Sequence, residues 1–416
     1  MKMRRLTAPL VAAWLGLSGV ALASLAVVTP AEAQQAGGWR KEVAEKAKAA
    51  QEAGQAGNFR EAIRLLQEAK AKGALQPAEE QGVNELLIWA ASSAKDYKLL
   101  AATIEERLAT GRVKGNDRVQ KLNVLAGTYY TLGDLRKTVS TTEQLIQARG
   151  GTGTADDLIL LGQAQFQLKS YQAAAGTLEK AYPAARRAGK TVAVQVKLLE
   201  TLNAAYFELK NDQKRLETLH QLMVIQPKTS VFEQLVSQYQ RTSANDPVAM
   251  VNLYRLGART NVLAKDHFAK YADVALDVSS PGEAARMLEK GLANGAIAKD
   301  DRNQRLLADA KQQVDALKKG IDQQEREARA IPAGEQDARL ALTFYTLGNY
   351  AKAVEAAKRA LEKGRVSRPD DVQMLLGVSL VELKRAKEAV PVFQAAEKAN
   401  PRIAGVAEVW RDVAGG

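Results

Sequence analysis

GVSLVELKRAKEAVPVFQAAEKANP, residues 377–401, and ALTFYTLGNYAKAVEAAKRAL, residues 341–361, follow one pattern and start 36 residues apart. Small and apolar side chains recur at steps of three and four on both sides of a short break. This period places them on one face of an α-helix, so each segment predicts two helices joined by a turn. The aligned pairs are Leu347 with Leu383, Tyr350 with Ala386, Ala353 with Ala389, Ala357 with Phe393, and Ala360 with Ala396.

An earlier pair of segments has the same spacing. AGTYYTLGDLRKTVSTTEQL begins at Ala126, and GQAQFQLKSYQAAAGTLEKA begins 36 residues later, at Gly162. Glycine and asparagine accept the left-handed backbone that ends a helix, and such residues mark the breaks. One hairpin cannot bury its apolar face alone, so neighbouring hairpins must stack. The breaks fall at Gly133-Asp134, Lys169-Ser170 and Gly348-Asn349.

These segments resemble the tetratricopeptide repeat family. The resemblance implies an all-α fold, an α-solenoid of stacked helix–turn–helix repeats, over most of residues 40–400. At the place of the family's tryptophan this sequence has Gln373 and Asp337. The best-matching unit carries Leu376-Gly377, Leu380, Leu383, Ala386, Ala389, Phe393, Ala396 and Pro401. Equivalent small-residue positions fall near Ala50, Ile88, Ala126, Gly162, Asn203, Val236, Ala272, Ala308, Ala341 and Gly377.

The repeat pattern divides the chain into four parts after the N-terminus. Residues 34–300 predict a first array, degenerate in places, and residues 334–400 predict the C-terminal repeats. Residues 301–333 have no clear mid-unit turn except at Lys319-Gly320, so they are either a charged helical spacer or a degenerate repeat. Residues 401–416 predict a capping helix whose apolar side covers the last repeat.

Residues 1–33 have the order of a secretory signal peptide. Basic residues come first, no charge appears from Leu6 to Val28, and Ala31-Glu32-Ala33 supplies a small-residue cleavage site. The pattern predicts cleavage after Ala33, an exported bacterial protein and a periplasmic location. An uncleaved membrane anchor is the alternative, because the apolar stretch is long for a signal peptide.

The composition removes several classes of site. The chain has no cysteine, which excludes disulfides, zinc sites with thiolate ligands and iron–sulfur clusters. Its two histidines, His220 and His267, leave little for a histidine metal site, so we expect no metal and no cofactor. The sequence has no nucleophile elbow, zinc-protease motif or phosphate loop. We therefore expect no catalytic residues and a protein that is not an enzyme.

In the family that this chain resembles, the first helices of the repeats line a concave ligand-binding surface. The resemblance implies a non-enzymatic scaffold whose concave face binds a protein or peptide of the cell envelope. Packing between helices is the alternative role for the aromatic residues on these helices. One inward position holds Tyr130, Phe166, Phe207 and Tyr345, and the polar neighbours are Asn123, Gln163 and Lys197.

Basic residues suggest a second mode of binding. The net charge of the chain is +12, and export makes nucleic acid an unexpected partner, so anionic glycans or lipid headgroups are the candidates. The alternative function is a glycan- or envelope-binding module in polysaccharide export or cell-wall assembly. A solvated basic surface without a partner also fits the pattern. The two clusters are Arg186, Arg187 and Lys190, near Lys197, and Lys358, Arg359 and Lys363.

Overall fold

The computed structural model describes residues 38–242 and 246–415, and every regular element in those ranges is an α-helix. The prediction of an all-α solenoid of stacked helical hairpins is confirmed. The predicted leader, residues 1–33, lies outside the described residues. The chain forms two compact units, divided between Lys190 and Thr191. Within the ranges described, no helix is long and apolar enough to cross a bilayer.

The first unit is a stack of hairpins. Each helix that the structure describes there packs chiefly against the helices before and after it in the chain. Every helix therefore buries part of its surface against its neighbours, as stacked repeats require. The helices are α1 (Lys41–Gln55), α2 (Phe59–Lys70), α3 (Pro77–Ser93), α4 (Tyr97–Ala109), α5 (Gly115–Leu132), α6 (Leu135–Ala148), α7 (Ala155–Gln167) and α8 (Tyr171–Arg187).

Turns of two or three residues join the helices within these hairpins. The next-to-last turn residue has a left-handed backbone, with φ of 59° at Lys95 and 75° at Gly133. The last turn residue caps the next helix, because the carboxylates of Asp96 and Asp134 accept the backbone N–H three residues later. Such a cap satisfies an amide that the first helical turn leaves without a partner. These short polar pairs therefore fix where the second helix begins.

Two of the small-residue positions lie where paired helices approach closely. A Cβ at Gly162 would lie 2.6 Å from Leu178 of the following helix, and one at Gly377 would lie 2.4 Å from Phe393. Both distances are shorter than real carbon–carbon contacts. A larger residue at either position would therefore force the two helices of the hairpin apart.

The second unit contains the remaining described helices. They are α9 (Val192–Glu208), α10 (Asp212–Ile225), α11 (Thr229–Thr242), α12 (Pro247–Arg259), α13 (His267–Asp277), α14 (Pro281–Ala293), α15 (Asp301–Ala330), α16 (Glu335–Thr346), α17 (Tyr350–Lys363), α18 (Pro369–Glu382), α19 (Ala386–Ala399) and α20 (Pro401–Gly415). They stack largely in chain order, with two departures, at α15 and at α20.

Helix α15 is one continuous helix of 30 residues. It lies in the segment for which the sequence predicts either a charged spacer or a degenerate repeat. It passes through Lys319-Gly320 without a turn, and Ala308, at the expected small-residue position, is exposed. The hairpins on either side contact each other directly, because the Gly282 backbone N–H donates to Thr346 Oγ1 at 2.8 Å. Helix α15 is therefore a single long helix that packs against both flanking hairpins, which also contact each other.

The last helix, α20, does more than cover the last repeat. Trp410 stacks on Phe393 of α19, with the ring centres 5.9 Å apart. Its indole N–H also donates to the backbone oxygen of Asn252, in α12, at 2.9 Å. Because Trp410 is fully buried, α20 firmly joins the last hairpin to helices near the start of the unit. The second unit thus closes on itself.

Arg402, in the first turn of α20, holds this closure. Its guanidinium contacts both oxygens of Asp246, which caps the start of α12, at 2.6 and 2.7 Å. It also donates to Asp370 at 2.8 Å and to Asp371, both in the first turn of α18. We call these four residues the Arg402 clamp. Burial favours the neutral acid, but backbone N–H groups of α12 and the charge of Arg402 outweigh it and lower the pKa of Asp246.

Replacing Arg402 with alanine is expected to loosen the second unit. Three carboxylates would lose their shared cation, at a cost on the order of 2 kcal/mol of unfolding free energy, because the clamp is partly exposed and fully buried pairs cost more. Hydrogen exchange of α12 and α18 peptides in urea measures the loss. Arg385→Ala is the control, because Arg385 pairs with Glu388 at the exposed surface. Equal effects of the two substitutions would contradict the role given to the clamp.

Candidate functional site

Two of the predicted aromatic anchors lie close together in the first unit. Tyr130 is in α5 and Phe166 is in α7, the first helices of successive hairpins. The Tyr130 hydroxyl accepts a hydrogen bond from Gln167 Nε2 at 2.7 Å, which ties the two helices together at this point. Both rings are half-buried, so each keeps part of its surface open.

Polar side chains flank these two rings. Asn123 lies seven residues before Tyr130, and Gln163 lies three residues before Phe166, so each pair shares one helix face. Phe166 also packs edge-on against Tyr171, with the ring centres 5.5 Å apart, which limits the motion of its ring. We call Asn123, Tyr130, Gln163 and Phe166 the aromatic face.

The other predicted anchors have different surroundings in the second unit. Phe207 is 44% exposed, and the Arg215 guanidinium lies 4.9 Å from its ring centre. Lys197 Nζ lies 3.6 Å from the carboxylate of Glu200. The structure differs from the prediction at Tyr345, which is 3% exposed. Its ring is packed inside the unit and offers little surface as an apolar anchor.

The predicted C-terminal basic cluster is paired within the chain. Arg359 Nη2 lies 2.9 Å from Asp337, and Lys363 Nζ lies 2.7 Å from the same carboxylate, which is fully buried. Lys358 Nζ lies 3.8 Å from Glu388. This arrangement differs from the predicted anion-binding surface, because a buried carboxylate needs compensating cations. Arg359 and Lys363 supply that compensation.

The other basic cluster is partly paired. Lys190 Nζ lies 2.8 Å from the carboxylate of Asp156. Arg186 and Arg187, at the end of α8, are exposed, and the Arg186 guanidinium lies 6.0 Å from the ring centre of Tyr182. Two exposed cations at one helix end therefore form the open part of this cluster.

A cavity of about 270 Å³ lies among the helices of the second unit. Side chains of α12, α13, α14, α16 and α18 line it, together with the first residue of α17. We call this cavity the arginine pocket. Its charged and aromatic lining residues are Arg255, Arg259, Tyr271, Glu283, Arg286, Tyr345, Tyr350 and Glu382.

A buried ion pair forms one wall of the arginine pocket. Arg255 Nε and Nη2 donate to the two oxygens of Glu283 at 2.9 and 2.5 Å, and Nη1 donates to Asn252. The hydroxyls of Tyr271 and Ser280 also donate to Glu283, at 2.9 and 2.6 Å. Burial favours the neutral acid, but the charge of Arg255 and these hydrogen bonds outweigh it and lower the pKa of Glu283. The pair is therefore charged and held in one geometry.

Tyrosine rings pack around this pair. The Arg255 guanidinium lies 4.4 Å from the ring centre of Tyr345, a cation–π contact, and the rings of Tyr345 and Tyr350 are 5.2 Å apart. Burial raises the pKa of Tyr271 and of Tyr345. Both hydroxyls are therefore neutral and able to donate hydrogen bonds near pH 7.

Three further charged side chains line the pocket with fewer partners. Arg286 Nη1 donates to the backbone oxygen of Thr346 at 2.8 Å. The side chains of Arg259, at the end of α12, and Glu382, at the end of α18, make no hydrogen bond to any residue within 38–242 and 246–415. Burial raises the pKa of Glu382, against the opposing effect of Arg259. The pocket therefore offers two guanidinium groups and one carboxyl group to a ligand.

The Arg402 clamp and the arginine pocket lie at opposite ends of the same two helices. Helix α12 begins beside the clamp and ends at Arg259, and α18 begins in the clamp and ends at Glu382. They contain 13 and 14 residues, and at about 1.5 Å per residue each spans about 20 Å. The closure made by α20 thus helps to set where their far ends meet.

A second cavity, of about 330 Å³, adjoins the arginine pocket, and Ala258 lines both. Lys265 and Lys290 contribute positive charge to it, and Lys290 Nζ lies 5.9 Å from the ring centre of Phe268. The two cavities together place four lysine or arginine side chains, besides Arg255, in one region of the second unit.

The sequence pattern singles out Tyr345 but not the charged residues of the arginine pocket. The sequence does contain a signal for the burial of Arg255, because Arg255 is the one charged residue within AMVNLYRLG, residues 249–257. A charge inside such an apolar run needs a buried partner. Arg259, Arg286 and Glu382 lie on helices where charged residues are ordinary, and the folded chain is what brings them to one cavity.

Glu283→Gln should destabilise the second unit by about 3–5 kcal/mol, because it leaves the Arg255 guanidinium buried without a counter-charge. The folded pKa of Glu283 is lowered, so its contribution is present above about pH 4.3, the usual glutamate pKa, and is lost as the pH falls through the folded value. Thermal unfolding followed by circular dichroism measures both effects. The double variant Arg255→Met/Glu283→Leu removes both charges and should be less destabilised than Glu283→Gln. A double variant less stable than Glu283→Gln would contradict this account.

Residues 339–402 match the family model described as a tetratricopeptide repeat. The match confirms the resemblance to that family for this stretch, which contains Tyr345, Tyr350 and Glu382 of the arginine pocket. The chain matches none of the curated proteins.

Three solved structures are similar to the chain at low sequence identity. The Naa15/Naa10 complex bound to HypK-THB aligns with 90% of this chain and 56% of that chain, at 14% identity and a TM-score of 0.41. A tetratricopeptide repeat protein from Parabacteroides merdae aligns with 89% and 99%, at 12% identity and a TM-score of 0.33. The TPR2AB domain of yeast Sti1 in complex with pHSP90 aligns with 72% and 99%, at 12% identity and a TM-score of 0.26. The chain thus spans little more than half the length of the first of these.

Proposed function

We propose that this protein, which matches the tetratricopeptide repeat model over residues 339–402, is a non-enzymatic scaffold that binds a segment of a cell-envelope protein. The proposed mechanism is binding by shape and side-chain contacts, with no chemical step. Stacked hairpins support the proposal, because they present an extended surface made of successive helices. A fold by itself does not specify a function, which depends on the residues of the site.

The observation that carries the proposal is the aromatic face of the first unit. Tyr130 and Phe166 present half-buried rings on two neighbouring first helices, and the Tyr130–Gln167 hydrogen bond holds those helices in register. Aromatic residues such as tyrosine are enriched among the few residues that contribute most of the binding energy at interfaces. The amide groups of Asn123 and Gln163 lie on the same helix faces as the rings and make no hydrogen bond to other described residues. They are available to the backbone of an extended peptide.

Site-specific photo-crosslinking in cells tests this proposal. A photoreactive benzoylphenylalanine in place of Gln163 should give a discrete adduct with one envelope protein, and Phe166→Ala should reduce its yield several-fold because an aromatic anchor is lost. The matched control is the same photoreactive residue at Glu143, which is exposed on α6, a second helix. No adduct at position 163, or equal adducts at positions 163 and 143, would contradict the proposal.

The proposed location is the periplasm. The sequence supports this location, because a basic start, an uncharged stretch and the small-residue site Ala31-Glu32-Ala33 follow one another as they do in a signal peptide. The partner is then a protein that shares this compartment.

Expression with the native N-terminus in a Gram-negative cell tests the location. The protein should appear in the osmotic-shock fraction, and sequencing should find Gln34 as its first residue. Ala33→Phe should leave residues 1–33 attached, because a large side chain does not suit the small-residue cleavage site. Recovery of an intact Met1 from the wild-type protein in the membrane fraction would instead indicate an anchor.

The alternative function, a glycan- or envelope-binding module, has less support from the geometry. Asp337 and Asp156 engage Arg359, Lys363 and Lys190 of the predicted clusters. A cation that neutralises a carboxylate of its own chain attracts a second anion weakly. Anionic-glycan binding stays a prediction, and steep loss of binding with added salt would favour it over the aromatic face.

A further inference from the structure

We infer that the arginine pocket binds a free α-amino acid, with the ligand carboxylate at Arg259 and Arg286 and the ligand ammonium group at Glu382. This site lies in the second unit, whereas the aromatic face proposed for the protein partner lies in the first. The inference therefore adds a small-molecule ligand to the proposed scaffold, and either can stand without the other.

Side chains of opposite charge line this cavity without forming an ion pair with each other. Arg259 and Glu382 lie near enough for the arginine to affect the pKa of the carboxyl group. Yet they form no ion pair within 4.0 Å, with each other or with any other residue that the structure describes. A ligand that carries both charges on neighbouring atoms fits between them, because its carboxylate faces guanidinium and its ammonium faces the carboxyl group.

The hydrogen-bonding capacity of the arginines points to the same ligand. Arg255 already donates hydrogen bonds from Nε, Nη1 and Nη2 to Glu283 and Asn252, so it has few N–H donors left for a ligand. Arg286 uses Nη1 on a backbone oxygen, and within the described chain its Nε and Nη2 have no partner. A planar carboxylate matches the donor geometry of guanidinium groups. Arg259 and Arg286 are therefore the carboxylate-binding pair.

The size of the cavity limits the ligand. Its volume of about 270 Å³ is slightly below that of most ligand pockets, which run from roughly 300 to 1,000 Å³. Such a space suits a molecule of amino-acid size. Met287 and Tyr350 supply apolar and aromatic surface, so the ligand side chain is apolar or aromatic.

One of the three binding groups, Arg286, is held in place before a ligand arrives. A Cβ at Gly282 would lie 2.0 Å from the backbone oxygen of Thr346, so α14 and the end of α16 approach as closely as glycine allows. Arg286 donates to that same oxygen, which fixes one end of its guanidinium. A side chain that is already ordered loses less entropy on binding, and this favours affinity for a small ligand.

Thermal shift measurements and calorimetry on the purified full protein test the inference. Each of the standard L-amino acids is added at millimolar concentration, and a ligand that binds the folded state raises the unfolding temperature. The tightest is then compared by calorimetry with its C-terminal amide, which has no carboxylate, and its N-acetyl derivative, which has no ammonium group. Each derivative should bind at least tenfold more weakly than the free amino acid.

Substitutions identify the site. Arg259→Ala and Glu382→Gln should each weaken binding at least tenfold, and neither side chain has a hydrogen bond within the described chain for the change to disrupt. Arg326→Ala is the matched control, because Arg326 is an exposed arginine on α15 and should leave affinity unchanged. Circular dichroism of each variant checks that it is folded.

Three results would overturn the inference. They are the absence of binding by every amino acid tested, equal binding of the amide or N-acetyl derivative, and equal effects of Arg259→Ala and Arg326→Ala. The crosslinking at position 163 is a separate readout. An adduct there without amino-acid binding removes this inference alone, and amino-acid binding without an adduct removes the scaffold proposal alone.

Discussion

One arginine joins the last helix of the second unit to the starts of α12 and α18. Arg402 brings a single cation to three carboxylates, one at the start of α12 and two at the start of α18. Hairpin stacks normally depend on contacts between neighbours in the chain, so their ends are the weakest parts. Here the last helix binds helices that lie about 150 residues earlier, and both α12 and α18 start from one fixed point. The position of the arginine pocket depends on that constraint, because both helices end there.

The sequence predicted those parts of the fold that local spacing encodes. The period of apolar residues, the glycine turns and the small positions at Gly162 and Gly377 all act within one hairpin, so each is visible in about 36 residues. The contact between Arg402 and Asp246 spans 156 residues, and the bond from Trp410 to Asn252 spans 158. No local sequence pattern predicts such a contact, because an aspartate before a helix is fully explained by its role as a cap.

Local sequence patterns are equally limited in what they predict about the charged side chains of the candidate sites. Lys363 and Arg359 stood out because they belong to a run of cations, yet a buried aspartate 22 residues before Arg359 holds them in the fold. Asp337 occupies the place where the related family has tryptophan, so a carboxylate replaces a ring there and must be neutralised. Arg259 and Arg286 belong to no run and did not stand out. A cation is available to a ligand according to its partners, which composition and spacing do not reveal.

The direct contact between Gly282 and Thr346 joins two hairpins across 64 residues of chain. Those residues include most of α14, the 30-residue helix α15 and most of α16. Both ends of α15 are held by the flanking hairpins, because Lys311 pairs with Glu289 of α14 and Glu325 pairs with Lys352 of α17. One helical turn inserted into or deleted from α15 would shift one of these ends by about 5.4 Å, so the exposed middle of α15 is suited to new side chains rather than to a new length.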